Sequence, residues 1–233
     1  MHVIACLHGN EQYGLEVGKN LPPFFSFLIG NPKAIKKNKR YIDADLNRVF
    51  PGNKKGNYEQ RRAYELTKQL KNQTVIDLHS TSEKCELFGI LTKTTNMKLA
   101  SRLGLKKAVI MPQEIAKGKS LIDNVKQGIS IEVGPHKRKE NAEEALNCIK
   151  HYLKRKHSKP TIYYAFTTIK KENKNSKVCI RNFQTIKKGQ IIATKPIQKA
   201  KQAFTAILAG EQAYTGLICI AAKRKAKTYK LIT

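Results

Sequence analysis

Apolar residues along the chain fall into short runs cut by Gly, Pro and Asn, and helical spacing appears between those runs. HVIACL (His2 to Leu7) has the continuous hydrophobicity of a buried strand. A turn at Gly9 and a helix from about Glu11 toward Asn20 follow it. PPFFSFLIGNP is a second strand bounded by Pro22-Pro23 and Asn31-Pro32 as breakers. Tyr58, Arg62, Ala63, Leu66 and Leu70 recur at helical spacing, which predicts a helix over Tyr58 to Leu70. TVIDLHS, CELFGILT, KKAVIMP and ISIEVGP are further strands, with a long amphipathic helix over about Lys139 to Lys154.

This alternation predicts an α/β layer in which helices flank a mainly parallel or mixed sheet. After KRKHSKP the texture changes. TIYYAFTTI, KVCI, GQIIAT, AFTAIL and GLICIAA are short strands between turn residues, with no helical period. The expected organisation is therefore an α/β domain over 1–158 and a smaller β-rich domain over 159–233.

Composition narrows the class. No apolar run approaches the roughly 20 residues of a membrane helix. Met1 leads into HVIACL without the basic segment, apolar core and cleavage site of a signal peptide, so the expected compartment is the cytoplasm. Five widely spaced cysteines with no CxxC pair argue against a disulfide framework or a thiolate zinc site. Lys plus Arg number 45 against 17 Asp plus Glu, a net charge of +28. Such a balance raises nucleic acid as a partner. The lysines are spread through KAIKKNKR, HKRKENAEE, LKRKHSKP, IKKENKNSK and AAKRKAK without interleaved aromatics, which argues for a general basic surface and against a nucleic-acid footprint.

Three features fall at the ends of buried strands: His8 with Glu11, His79, and Glu132. Loops leaving the carboxyl ends of α/β strands converge in a crevice, so these groups are expected to meet. His8, Glu11 and His79 make the two-His, one-Glu set that catalytic zinc uses, with a fourth position for water. Zinc lowers the pKa of its water and polarises a carbonyl. Glu132, alone between Ile131 and Val133, suits the acid and base role. Asp77, two residues before His79, either orients an imidazole or accepts strand-end N–H groups. Taken singly each pattern is weak. Between them lies NPKAIKKNKRYIDADLNRVFPG, where Arg40, Asn47 and Arg48 could fix a carboxylate and an oxyanion, or could be surface residues of a basic protein.

HGNE, NPKAIKKNKRYIDADLNRVFPG, DLHSTS and IEVGP, in this order and at these intervals, resemble the aspartoacylase and succinylglutamate desuccinylase family of zinc-dependent amidohydrolases. The resemblance spans essentially the whole chain and is concentrated before residue 136. It implies a fold like that of the zinc carboxypeptidases and one Zn²⁺ per chain on His8, Glu11 and His79. It implies Glu132 as the base, Arg40 as the residue polarising the scissile carbonyl, and Asn47 and Arg48 as carboxylate binders. AGEQAYTG resembles the segment whose tyrosine contacts substrate, here Tyr214. Aspartoacylases place a further arginine shortly before the base; Lys119 lies nearest that place, a point charge where a planar fork is expected.

The expected activity is hydrolysis of a small anionic N-acyl amino acid, N-acetylaspartate-like, to a carboxylate and the amino acid. A desuccinylase and a carboxypeptidase-like hydrolase are the nearest alternatives, and a nucleic-acid-binding protein on a degenerate hydrolase scaffold is the non-enzyme one. No membrane partner is expected, and a homo-oligomer is compatible with the sequence.

Overall fold

The computed structural model describes residues 1–225; residues 226–233, including the end of AAKRKAK and of the expected C-terminal domain, lie outside the described residues. The elements run β1 (His2–Ala5), α1 (Tyr13–Lys19), β2 (Ser26–Ile29), α2 (Pro32–Lys36), α3 (Tyr58–Leu70), β3 (Thr74–Ser80), β4 (Phe88–Leu91), α4 (Met97–Arg102), β5 (Lys107–Ile110), α5 (Gln113–Ala116), β6 (Gln127–Val133) and α6 (Asn141–His151). They continue through β7 (Thr161–Lys170), β8 (Lys177–Val178), β9 (Thr185–Ile186), β10 (Ile191–Thr194), β11 (Gln198–Lys199), β12 (Phe204–Ile207) and β13 (Leu217–Arg224).

Ten strands form one mixed sheet in the order β2-β1-β3-β6-β4-β5-β7-β13-β12-β9. Strands β2, β1, β3 and β6 are mutually parallel, and β4 reverses direction against β6. Because β5 pairs with β7 from Lys107↔Thr161 to Ile110↔Tyr164, the C-terminal β-rich region extends this sheet across residue 158. Strands β11, β10 and β8 make a separate three-stranded sheet.

Strand β3 is central, with helix-covered faces, and reads as a near-continuous apolar run. Val75, Ile76 and Leu78 are fully buried, and so is Asp77. Its pairing with β6 sets His79 opposite Glu132. Helix α3 turns Ala63, Leu66 and Leu70 into a cluster with Ile4, Leu7, Leu46 and Phe50. Leu46 and Phe50 thereby anchor in the core the polar loop that carries Asn47 and Arg48.

Asn31-Pro32, expected as a breaker, instead starts helix α2. The Asn31 side chain accepts from Ala34 N at 3.1 Å, and proline occupies a first-turn position where its missing N–H costs nothing.

Candidate metal centre and anion cluster

Beyond β1 the backbone turns sharply, with Cys6 at φ 58° and Glu11 N donating to His8 O at 3.1 Å. Gly9 is required there by close approach: a Cβ would lie 2.1 Å from the Ala34 carbonyl carbon. The turn aims His8 and Glu11 at one point, where His79 arrives from the end of β3. One ligand atom from each of the three lies within 4.8 Å of the others, and all three residues are buried.

Both imidazoles are held between carboxylates. His8 Nδ1 stands 2.8 Å from Glu11 Oε1 and His79 Nδ1 stands 3.1 Å from Glu11 Oε2. The other nitrogens face carboxylates: His8 Nε2 is 3.0 Å from Asp45 Oδ1 and His79 Nε2 is 2.7 Å from Asp77 Oδ2. Each imidazole thus lies between two carboxylates, and a carboxylate at Nε2 can accept a hydrogen bond from that nitrogen's proton when Nδ1 is given to a metal ion. Ser80 N also donates to Glu11 Oε2 at 3.1 Å. Burial alone would raise the Glu11 carboxyl, but His8 and His79 hold it below the ordinary carboxylate range. Burial would lower His79, yet Asp77 and Glu11 push it well up. The negative charge that favours a proton on His79 equally favours a metal cation, so the donor set fits a divalent ion.

Glu132 is buried on β6. Burial, reinforced by Glu11, Glu211 and Asp77 and opposed by His79, raises its carboxyl to about 8. Gly134, two residues on, packs so closely that a Cβ would lie 2.0 Å from Thr81 Oγ1.

Beside the metal donors stands a cationic cluster. Arg40 donates to Asp45 Oδ2 from Nε at 3.1 Å and from Nη2 at 2.9 Å, and its Nη1 lies 3.6 Å from Glu11 Oε1. Arg48 Nη2 donates to Tyr214 Oη, and Nη1 to Asn47 O at 2.7 Å. The Tyr214 ring sits 5.8 Å from the Arg40 guanidinium and 5.5 Å from that of Arg48. Asn47 Oδ1 accepts from Leu121 N at 2.8 Å, which leaves Nδ2 pointing at His79 Nε2, 3.1 Å away. The structure thus brings together every residue singled out in the sequence except Lys119. The Lys119 side chain is exposed, and it is its carbonyl that touches this loop, accepting from Phe50 N at 3.2 Å. Ser120 and Asp123 close a reciprocal cap immediately after Lys119.

Four residues were not singled out. Asp45 joins His8, Arg40 and Asn47 N in one carboxylate. Burial would raise it, but His8, Arg40 and Arg48 hold it well below its usual range. Glu59 is fully buried at the start of α3 and accepts from Ile42 N, Asp43 N, Ala44 N and Asn31 Nδ2 at 2.7 to 3.2 Å, ordering the loop between Arg40 and Asp45. Glu211 accepts from Ser82 N at 2.9 Å and so ties the Tyr214 segment to the loop after β3. His136 contacts Ser80 Oγ at 2.8 Å. The signal for Asp45 and Glu211 lay inside motifs already noted, DADLNR and AGEQAY.

Residues 1–154 match the family model of the succinylglutamate desuccinylase/aspartoacylase catalytic domain. A probable aspartoacylase of Acaryochloris marina is 31% identical over 159 residues, covering 57% of this chain and 54% of that protein. An N-acyl-aromatic-L-amino acid amidohydrolase (carboxylate-forming) B of Danio rerio is also 31% identical, over 168 residues, with the same coverage. The chain spans about half the length of these curated relatives. Murine aminoacylase 3 superposes with a TM-score of 0.79 at 19% identity, covering 96% of this chain and 94% of that one. Succinylglutamate desuccinylase from Vibrio cholerae gives 0.73 at 14% identity, covering 98% and 83%. These likenesses support the mixed α/β fold, and with the matched catalytic domain the chain belongs to the succinylglutamate desuccinylase/aspartoacylase family.

Proposed function

We propose that the chain is a zinc-dependent amidohydrolase that cleaves the amide of an N-acylated acidic amino acid, N-acetylaspartate-like, to a carboxylate and the free amino acid. The observation that carries this reading is the junction of two clusters: the buried His8, Glu11 and His79 donors adjoin Arg40, Arg48 and Tyr214. His8, Glu11 and His79 would hold Zn²⁺, which when bound supplies a Lewis acid for the scissile carbonyl and a water of lowered pKa. The relatives' printed names, probable aspartoacylase and N-acyl-aromatic-L-amino acid amidohydrolase (carboxylate-forming) B, support the reaction class.

The chain's own residues then divide the work. Glu132 takes a proton from water and returns it to the departing amine. Its raised pKa suits the second half of that task, and positive charge near Glu11 would favour the first. Arg40, locked by Asp45, presents a fixed charge to the oxyanion. Arg48, steadied by Tyr214, binds a substrate carboxylate, and Asn47 Nδ2 offers one further donor. On this reading the region 159–233 acts as a domain that completes the cleft, through Glu211 and Tyr214. Lys119 has no part in it.

A substrate panel tests the assignment. N-acetyl, N-formyl and N-succinyl derivatives of Asp, Glu and neutral amino acids are offered beside peptides, and release of free amino acid is followed. Preference for the acylated acidic compounds is expected; turnover confined to peptides or to neutral and aromatic derivatives would refute it.

A further inference from the structure

The metal and anion clusters use few of the chain's cations, and part of the remainder is gathered elsewhere. Residues 150–159, KHYLKRKHSK, contain Lys150, Lys154, Arg155, Lys156 and Lys159 with two histidines and no acidic residue. They run from the end of α6 through the 3₁₀ turn Tyr152–Lys154 into the connection to β7, and 153–157 are exposed. Arg155 ends that turn at φ 54°, a left-handed position where glycine is usual.

Against this ridge the fold sets an aromatic platform that the sequence keeps apart. Phe24, from the loop before β2, is 56% exposed. Its ring lies 6.0 Å from that of Tyr152 at 31°. Phe25 braces both rings, at 5.1 Å and 6.1 Å. The Arg102 guanidinium covers the Tyr152 ring at 3.7 Å and donates to its hydroxyl at 2.9 Å. Phe24 and Tyr152 share a hollow of about 530 Å³ with Lys98, Arg102, Arg155 and His157, and no Asp or Glu lines it. None of the residues lining it belongs to the His8, Glu11 and His79 site.

We propose that this face binds single-stranded nucleic acid, with phosphates along the Lys150 to Lys159 ridge and a base stacked on Phe24. An exposed ring beside a line of cations matches the two demands of a single strand, a π-face for the base and positive charge for the backbone. A duplex hides its base faces, and a small dicarboxylate has no use for Phe24. Leu153 also lines the hollow and is exposed beside Phe24, so an anionic membrane is the competing partner; the concave shape of the hollow, with Lys98, Arg102 and Arg155 around the ring, favours a base seated between cations. The binding is independent of the hydrolase reading and reverses the expectation, drawn from the sequence, that nucleic acid is not a partner.

The test is fluorescence anisotropy with a labelled oligo(dT) of roughly 12 nucleotides over a series of salt concentrations, with inorganic polyphosphate as a base-free polyanion. Phe24→Ala is expected to weaken oligo(dT) binding about 5- to 100-fold, to leave the salt slope unchanged and to spare polyphosphate binding. Phe24→Tyr should restore the parent affinity. Lys154→Glu with Lys156→Glu should weaken both polyanions and flatten the salt slope by roughly 1 to 2. Phe24→Leu replaces the alanine variant should the latter unfold, and zinc content and turnover serve as controls because none of these residues is in the site. Unchanged oligo(dT) affinity in the Phe24 variants, or equal losses for oligo(dT) and polyphosphate, would overturn the proposal. So would Phe24-dependent capture by phosphatidylserine vesicles without oligo(dT) binding.

Discussion

The proposed metal half and the proposed anion half of the site are built in opposite ways. His8, Glu11 and His79 sit at or just beyond strand ends, each less than 5% exposed, and their side-chain contacts are with one another, with Asp45, Asp77, Asn47 and Ser80 N, and, through Glu11, with Arg40. Arg40 and Tyr214 are partly exposed and Arg48 is exposed, and they come from a loop and from a segment more distant in sequence. Burial with complete pairing fixes ligand geometry, while a half-exposed cationic cluster keeps donors available to an anion that arrives from water. The contrast predicts that changes in the first half act on metal and turnover, and changes in the second on substrate affinity.

Glu132→Gln should have the largest effect. Loss of the acid and base group is expected to reduce kcat about 10²- to 10⁴-fold while zinc content stays at the parent level. Parent-like activity would remove Glu132 from the reaction and dissolve the division between the halves.

The same residue gives a stability signature in the metal-free protein. Its carboxyl is raised to about 8 in the folded chain from 4.5 when unfolded, so the folded state binds the proton more tightly. Stability from this group is complete below pH 4.5 and is lost as pH climbs through 8. The melting temperature of the Gln variant, relative to the parent, should therefore rise across that window. A difference that is flat with pH would show that Glu132 is not perturbed.

Asp45→Asn tests whether the halves are separable at all, because this carboxylate touches His8 and Arg40 together. Zinc affinity is expected to fall about 10- to 100-fold, with a rise in KM alongside it. If only KM moved, Asp45 would belong to the anion half alone. Arg48→Ala should raise KM for N-acetylaspartate about tenfold or more, and Tyr214→Phe about fivefold, with kcat little changed. A kcat effect without a KM effect would place both residues in the chemical step.

The convergence of much of the proposed metal half is legible in the sequence because polar residues at the ends of apolar strands stand out against their surroundings. His8, Glu11, His79 and Glu132 each interrupt or end such a run. Arg48 and Tyr214 could be joined only through the family resemblance, since no periodicity links residues so far apart. Asp45 was overlooked because an aspartate in DADLNR has the look of a turn or cap residue, and it does cap, accepting from Asn47 N at 2.9 Å. Glu59 was invisible for a different reason. At the first turn of a helix an acidic residue is ordinarily solvated, and nothing in the spacing told that the 42–44 backbone would fold over it. Lys119 lies near the expected place only by distance along the chain from the base, and such a distance does not say that its side chain is exposed. Helix α2 is not legible in the sequence because Asn-Pro reads as a stop, when the same pair also starts helices.

Titration of metal-stripped protein with Zn²⁺, while free aspartate released from N-acetylaspartate is followed, probes the central claim most directly. Activity should rise linearly and reach its plateau at one ion per chain in the parent, and should stay near baseline in Glu132→Gln at equal zinc occupancy. Release that is independent of zinc, or no release at full occupancy in the parent, would contradict the account.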